Sequence, residues 1–400
     1  MKTILPFLFA SLLSLPCSSW ARPPGAPTLP SATAPGPRRI RVCGQAVELC
    51  VAQVSDSTFE IVIAPLDADG AAHLPSRPDA LVAYPCREIW RGRIAQDPVV
   101  IPARSLTVQI SAAPVTVSVL NRTGELVQRL AWQEDGAMIF KTEAPVFGLG
   151  QGGGGMDRRG RVQSLADGYF AGDDTSRIIS PILIGADGWA LFLPDLQEVR
   201  DHRSTRKAGL LGEFDLRNGQ GIYRSHDVPR AQRLFLICAD EPSQIMADLN
   251  RLTGQAALPP RWALGYMQSH RTLSGWDEIL QVARNFREKN LPCDALIYLS
   301  EVYCKSGWGN GIAPFAWNTR NFPDPAANIA ALHGLGYKVV LHVSRYPPSL
   351  HGVNLAKTSE DPAHVGNYWK LHHALHELGV DAWWPDDGED LVTAGRFARH

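Results

Sequence analysis

The chain has almost no excess charge of either sign: 39 Lys and Arg stand against 40 Asp and Glu, for a net charge of −1. That balance excludes the broad basic surface of a nucleic-acid binder, so no nucleic-acid partner is expected. Beyond Leu15 no apolar run is long enough to span a bilayer, so no membrane span is expected. No Cys-x-x-Cys pair occurs, which removes the commonest zinc signature. What the chain does have is length and tryptophan. Four hundred residues suffice for two or three domains with a large core. Eleven tryptophans are many for that length; the core takes them by default, but flat aromatic faces also stack on sugar rings.

Residues 1–21 read as an export signal. Lys2 supplies the positive end, Ile4 to Leu15 the apolar run, and Ser19-Trp20-Ala21 a small-x-small cleavage site. Pro16 before Cys17 is a poor match for lipid attachment. The protein is therefore expected to be exported, to the periplasm or the extracellular space. Export permits disulfides, and six cysteines remain after cleavage: Cys43, Cys50, Cys86, Cys238, Cys293 and Cys304. Cys43 and Cys50 flank an expected hairpin and are the best candidate pair; free buried thiols are the alternative.

Residues 22–38 are a proline-rich linker without the means to build a core. Residues 39–243 show short period-two runs such as Leu106-Thr107-Val108-Gln109-Ile110 and Val115-Thr116-Val117-Ser118-Val119. Ile182-Leu183-Ile184 and Trp189-Ala190-Leu191-Phe192-Leu193 flank Gly185-Ala186-Asp187-Gly188, which reads as a hairpin. Many short strands with turn signals predict a β-sandwich. Residues 244–260 connect it to a different rhythm in residues 261–400. There, strands at Trp262 to Gln268, Ala295 to Leu299, Lys338 to Val343 and Val380 to Trp384 alternate with helices. Ser274 is placed to cap the first helix, Pro325 to open the second and Gly336 to end it; a third spans about Pro362 to Leu378. Such alternation predicts a parallel sheet.

Gly148-Leu149-Gly150-Gln151-Gly152-Gly153 contains GxGxxG, but no amphipathic helix follows it, so a dinucleotide site is not expected. Asn121-Arg122-Thr123 is a glycosylation sequon that reads better as a solvated turn. The most informative segment is Val380-Asp381-Ala382-Trp383-Trp384-Pro385-Asp386-Asp387-Gly388-Glu389, an apolar strand ending in three carboxylates. Barrel enzymes keep their chemistry at such strand tips; a solvated loop or an acidic helix start is the alternative. A metal is a weaker option, with His342 as the one nearby ligand, so no metal and no cofactor are expected. The other tips supply Gln268-Ser269-His270-Arg271, then Ser300-Glu301 with an aromatic loop holding Tyr303, Trp308, Phe315 and Trp317, then Ser344-Arg345-Tyr346. Acids, hydrogen-bonding groups and aromatics at one mouth suit a carbohydrate better than a phosphate.

Several segments resemble glycoside hydrolase family 31, in the family's order. Leu258-Pro259-Pro260-Arg261-Trp262-Ala263-Leu264-Gly265-Tyr266-Met267-Gln268-Ser269 is similar to its barrel entry, as is Pro242-Ser243-Gln244 through Leu252-Thr253-Gly254 before it. Phe322-Pro323-Asp324-Pro325 with Gly334-Leu335-Gly336-Tyr337-Lys338-Val339-Val340 is similar to its third unit. Val146-Phe147-Gly148-Leu149-Gly150 resembles its sandwich loop. The resemblance, over residues 39–400, implies a multidomain β plus α/β protein. It would have an N-terminal, galactose-mutarotase-like β-sandwich followed by a (β/α)8-type barrel, of which about four βα units are present. The resemblance also implies a retaining α-glycosidase acting on an oligosaccharide or other α-glycoside. The family's Trp-x-Asp-x-x-Glu motif matches Trp384 to Glu389, which makes Asp386 the nucleophile and Glu389 a supporting acid. Ser300, Glu301, Trp308, Arg345 and Trp384 are the expected sugar contacts.

Two departures stand out. Ser300-Glu301 occupies the place where the family has a sugar-binding Asp. The family's acid/base comes from later strands, so it is expected to be absent from this chain. Half a barrel leaves two open sheet edges. Three further readings therefore stand beside an α-glycosidase: a non-catalytic carbohydrate-binding protein, an inactive truncated fragment, and a homo-oligomer whose half-barrels complete each other.

Overall fold

A computed structural model describes residues 37–75, 78, 80–152, 155–165, 176–178, 180–194, 212–225, 231–270, 274–298, 307–309, 316–343, 370 and 372–385. Two large antiparallel sheets dominate its first part. The first runs in space through Val162–Ser164, Gly212–Asp215, Gln220–Ser225, Met138–Lys141, Leu126–Trp132, Val115–Leu120, Leu106–Ala112 and Val99–Ala103. The second runs through Val146–Gly148, Ile182–Gly185, Trp189–Phe192, Gln232–Cys238, Thr58–Pro65, Gln45–Gln53 and Arg41–Val42, with Arg87–Gly92 also paired to Gln45–Gln53. The expected hairpin at Gly185 forms, with Ile182–Gly185 antiparallel to Trp189–Phe192.

Side-chain alternation explains how the sheets meet. Along Leu106–Ala112 every second residue is buried, and Val108 and Ile110 share a core with Leu49, Ile61, Leu234 and Leu236 of the second sheet. The second sheet is covered on its other face too. Phe192, Phe235 and Ile237 pack there against Leu81 and against Ile245, Leu249 and Leu252 of the helix Pro242–Thr253. A strand buried on both faces reads as a continuous apolar run, which is why Gln232–Cys238 contains Leu234-Phe235-Leu236-Ile237. Each such side chain contributes about 1.5–3 kcal/mol by leaving water. The inner face is tightly filled: at Gly221, opposite Phe140, a Cβ would lie 2.1 Å from that ring.

The helix Pro242–Thr253 is pinned by a carboxylate. Asp248 is buried, and its Oδ2 accepts hydrogen bonds from Ser55 (2.8 Å) and Ser57 (2.5 Å) on the turn before the strand Thr58–Pro65 and from Thr58 (2.8 Å) at its start. Its Oδ1 accepts from Arg251 at 2.6 Å and Gln244 at 3.3 Å. Elsewhere on the covered face Glu60 pairs with Arg233 at 2.8 Å and accepts from Tyr84 and Cys86. Asn121 forms a solvated turn, its Oδ1 accepting from the backbone of Thr123 and Glu125.

The expected Cys43–Cys50 bridge is not made. Cys43 sits at the tip of the tight turn that Val42 and Gln45 close, whereas Cys50 lies farther up Gln45–Gln53. Five residues of strand separate Gln45 from Cys50, about 17 Å, while a disulfide needs Cα atoms within about 7 Å. Cys43, Cys50, Cys86, Cys238 and Cys293 are free thiols; Cys304 lies outside the described residues. Burial raises Cys50 to about 11 and Cys86 to about 12, so both stay protonated at neutral pH.

The second part is a parallel sheet in the order Met267–His270, Ala295–Tyr298, Lys338–Val343, Ala382–Pro385. Helices Trp276–Glu288 and Pro325–Gly334, and helical residues 372–377, precede its successive strands. The predicted Lys338–Val343 strand matches. The first strand starts later than predicted. Arg261–Leu264 is a 3₁₀ turn, with Ala263 donating to Pro260 and Gly265 to Trp262, and the ladder begins only where Met267 meets Ala295. Ser274 does not cap its helix by its own side chain; the N-cap is Gly275, and Glu278 reaches back to accept from the Ser274 amide and hydroxyl. Asp324 caps the next helix by accepting from the Ala327 amide, with Pro325 in its first turn. Of the helix predicted from Pro362, the part before residue 370 lies outside the described residues.

Two side chains tie the strand starts together. Arg287 donates to the carbonyls of Leu335, Cys293 and Gly336, and stacks over Tyr337 at 3.7 Å. Asp381 accepts from Lys338 and His333, each at 2.8 Å, and from the Val339 amide. Among the described residues no helix is long and apolar enough to cross a membrane.

Candidate active site

The parallel register decides which face each side chain takes. Val339, Leu341 and Val343 pack with Ile279, Ala283, Ile329 and Leu332, so they face the helices. Tyr298 joins the same cluster, and Trp383, opposite Leu341, packs against it with the rings of His372 and His376 beside it. The intervening residues face the other way. His342 is opposite Trp384 in the ladder, and the two rings meet at 4.7 Å and 75°. His342 is buried, whereas Trp384 is 43% exposed. Of the two adjacent tryptophans, Trp383 therefore belongs to the helix-side core and Trp384 to the face turned away from the helices.

Of the residues that follow the second strand, 307–309 and 316–322 are described, and they pack against this sheet. Trp308 is fully buried and its Nε1 donates to the His342 carbonyl at 2.8 Å. Its own carbonyl accepts from the Asn318 amide, and an isolated bridge joins Gly309 to Trp317. Trp308 packs edge to face on Trp317, Trp317 on Phe322, and Phe322 stacks on Tyr298. Trp308 therefore lies in the buried helix-side cluster and presents no open stacking face. Burial raises the Tyr298 hydroxyl, which stays protonated on the helix side. The indole N–H groups of Trp317 and Trp383 and the Tyr298 hydroxyl are buried and find no hydrogen-bond partner among the described residues.

Asp386 and Glu389 lie outside the described residues, as do Ser300, Glu301, Arg345, Tyr303 and Phe315. Asp386 follows in sequence directly on Pro385, the last residue of the fourth parallel strand. Of the expected site residues the structure places Trp308 and Trp384, which it brings together around His342. Sequence reading considered His342 only as a metal ligand and missed this contact; the signal was its place two residues before the Ser344-Arg345 tip. Among the described residues no group of three His, Cys, Asp or Glu side chains is placed to hold a metal ion.

The Gly-rich segment turns on Gly148, Leu149 and Gly150, all with positive φ. At Gly148 a Cβ would lie 2.2 Å from the Ile182 carbonyl oxygen, so only glycine fits. The buried Arg158 holds this turn by donating to the Gly148 and Gly150 carbonyls.

Comparison with known proteins agrees with this architecture. Residues 256–362 match the glycosyl hydrolases family 31 TIM-barrel domain. An alpha-xylosidase from Saccharolobus solfataricus is 27% identical over 176 residues, covering 40% of this chain and 23% of that protein. Alpha-glucosidase 2 from Bacillus thermoamyloliquefaciens is also 27% identical, over 174 residues, with 40% and 21% covered. Among solved structures, a Flavobacterium johnsoniae GH31 dextranase superposes with a TM-score of 0.68 at 16% identity, over 88% of this chain and 48% of that one. A GH31 alpha-xylosidase from a soil metagenome gives a TM-score of 0.64 at 16% identity, over 86% and 56%. The chain is a glycoside hydrolase family 31-like protein. It spans less than a quarter of these curated relatives and about half of these solved chains.

Proposed function

We propose that this chain carries the nucleophile side of a retaining α-glycosidase. In this reading the antiparallel sheets are a galactose-mutarotase-like β-sandwich, and the parallel strands are four units of a (β/α)8 barrel. The observation that supports it most is the fourth parallel strand. It sets the half-exposed Trp384 on the face turned away from the helices, and the run Asp386-Asp387-Gly388-Glu389 follows at its C-terminal end, where barrel enzymes gather their chemistry. The match of residues 256–362 to the family 31 barrel adds the reaction class.

Asp386 attacks the anomeric carbon and forms a covalent glycosyl-enzyme, which water then hydrolyses with retention. A second carboxyl about 5–5.5 Å away protonates the leaving oxygen and later activates the water; the family resemblance assigns that role to no residue of this chain. Glu389 supports Asp386. Ser300, Glu301 and Arg345 bind sugar hydroxyls, Trp384 stacks on the ring, and Trp308 holds the His342 carbonyl. The relatives' names point to α-xylosides and α-glucosides as substrates, and the N-terminal segment to export.

The test uses the full natural protein with aryl α-xyloside and α-glucoside substrates. Asp386→Asn should lower kcat by at least about 10³-fold, with the sugar still bound, and NMR of the first product should show the α-anomer. Turnover that survives Asp386→Asn, or a β-anomer as first product, contradicts the proposal. A protein that binds these glycosides, never cleaves them, and binds equally well as Asp386→Asn is a carbohydrate-binding protein instead.

A further inference from the structure

We infer that His342 is a positioning residue for the sugar site, setting the plane of the Trp384 indole on which a pyranose ring stacks. The inference rests on the glycosidase reading. Its ground is the contrast between the two rings. His342 is 1% exposed and Trp384 is 43% exposed, yet they touch at 4.7 Å and 75°. One ring is fixed in the interior; the other presents apolar surface on the face turned away from the helices. A near-perpendicular contact lets the buried ring brace the indole while leaving much of it open.

His342 is itself held on its backbone. Its carbonyl accepts from the buried Trp308 Nε1 at 2.8 Å. Trp308 is wedged by Trp317, and Trp317 by Phe322, which stacks on Tyr298 of the second strand. An aromatic set thus runs from Tyr298 of the second strand to Trp308, whose hydrogen bond fixes the His342 backbone, and the His342 ring braces Trp384 on the fourth strand. A stacking platform needs such support, because a tilted indole loses contact area with the sugar.

The experiment uses the full natural protein in an Asp386→Asn background, so that binding is read without turnover, and titrates it with glucose and with xylose by calorimetry. His342→Leu keeps the volume but loses the ring and should weaken binding about 2- to 12-fold, the equivalent of one edge-to-face aromatic pair. His342→Phe restores the ring and should bind within about twofold of the parent, which a role in filling space alone does not require. In a Trp384→Leu background the effect of His342→Leu should vanish, since it acts through that indole. Equal binding by His342→Leu and the parent, or an effect that persists undiminished without Trp384, overturns the inference alone. If the parent binds neither sugar, the glycosidase reading fails and the inference falls with it.

Discussion

Removing the Asp248 carboxylate should be among the costliest single changes in the antiparallel part. Asp248→Ala deletes the acceptor of five hydrogen bonds. Arg251 is 44% exposed, so its ion pair is worth only about 0–1 kcal/mol. Ser55 and Ser57 are half-buried and can turn to water. Thr58 is fully buried and cannot, which adds about 1–3 kcal/mol for an unpaired hydroxyl. With the lost charge-assisted bonds the total comes to about 3–5 kcal/mol. Asp248→Asn keeps the shape and one acceptor oxygen and should cost about 1–2 kcal/mol. Differential scanning calorimetry checks the pair. At about 2–4 °C per kcal/mol for a domain of this size, Asp248→Ala should lower Tm by about 6–20 °C. A loss below about 2 °C, or equal losses for Ala and Asn, refutes the view that this buried carboxylate pins the helix to the sheet.

Asp381 gives a pH prediction. Burial raises its pKa, but the hydrogen bonds from Lys338, the Val339 amide and His333 outweigh burial and hold it below the ordinary value. A carboxyl depressed on folding contributes stability that is present above its unfolded pKa, near 3.9, and lost as pH falls through the folded value. Acid titration of thermal stability should therefore show a smaller loss below about pH 4 for Asp381→Asn than for the parent; parallel curves would contradict this. Gly221→Val should cost at least about 1–3 kcal/mol by forcing Phe140 from its place, measured by urea unfolding, whereas an unchanged midpoint would mean the ring has room to move. Non-reducing peptide mapping should find no Cys43–Cys50 linkage, and Cys43→Ser should leave Tm unchanged with or without reductant; a linked peptide would contradict the hairpin geometry.

Local pattern made much of the architecture legible. The period-two run at Leu106–Ala112 became a strand with one buried face of side chains, and Lys338–Val343 stood out because its buried residues are apolar apart from His342. Pro325 and Gly336 marked their helix because proline suits a first turn and glycine the left-handed exit. Other features depend on partners distant in sequence. Trp262-Ala263-Leu264 looks like strand but has no neighbour to pair with until Met267 reaches Ala295. Trp383 and Trp384 are equivalent as a sequence, and only the ladder register sends one to the helices and the other to the opposite face. The aromatic loop marks Trp308 as a sugar contact by resemblance alone, and only its distant partner shows that its indole N–H caps a carbonyl of the third strand. Asp386 is legible from its motif and from its position directly after Pro385.

The most direct measurement is therefore covalent. Incubating the full natural protein with a 5-fluoro-α-glycosyl fluoride should trap the glycosyl-enzyme, and peptide mass spectrometry should place the added sugar on Asp386. A sugar on any other carboxylate, or steady turnover of an ordinary α-glycoside with no trapped adduct, would contradict the assignment of Asp386 as nucleophile.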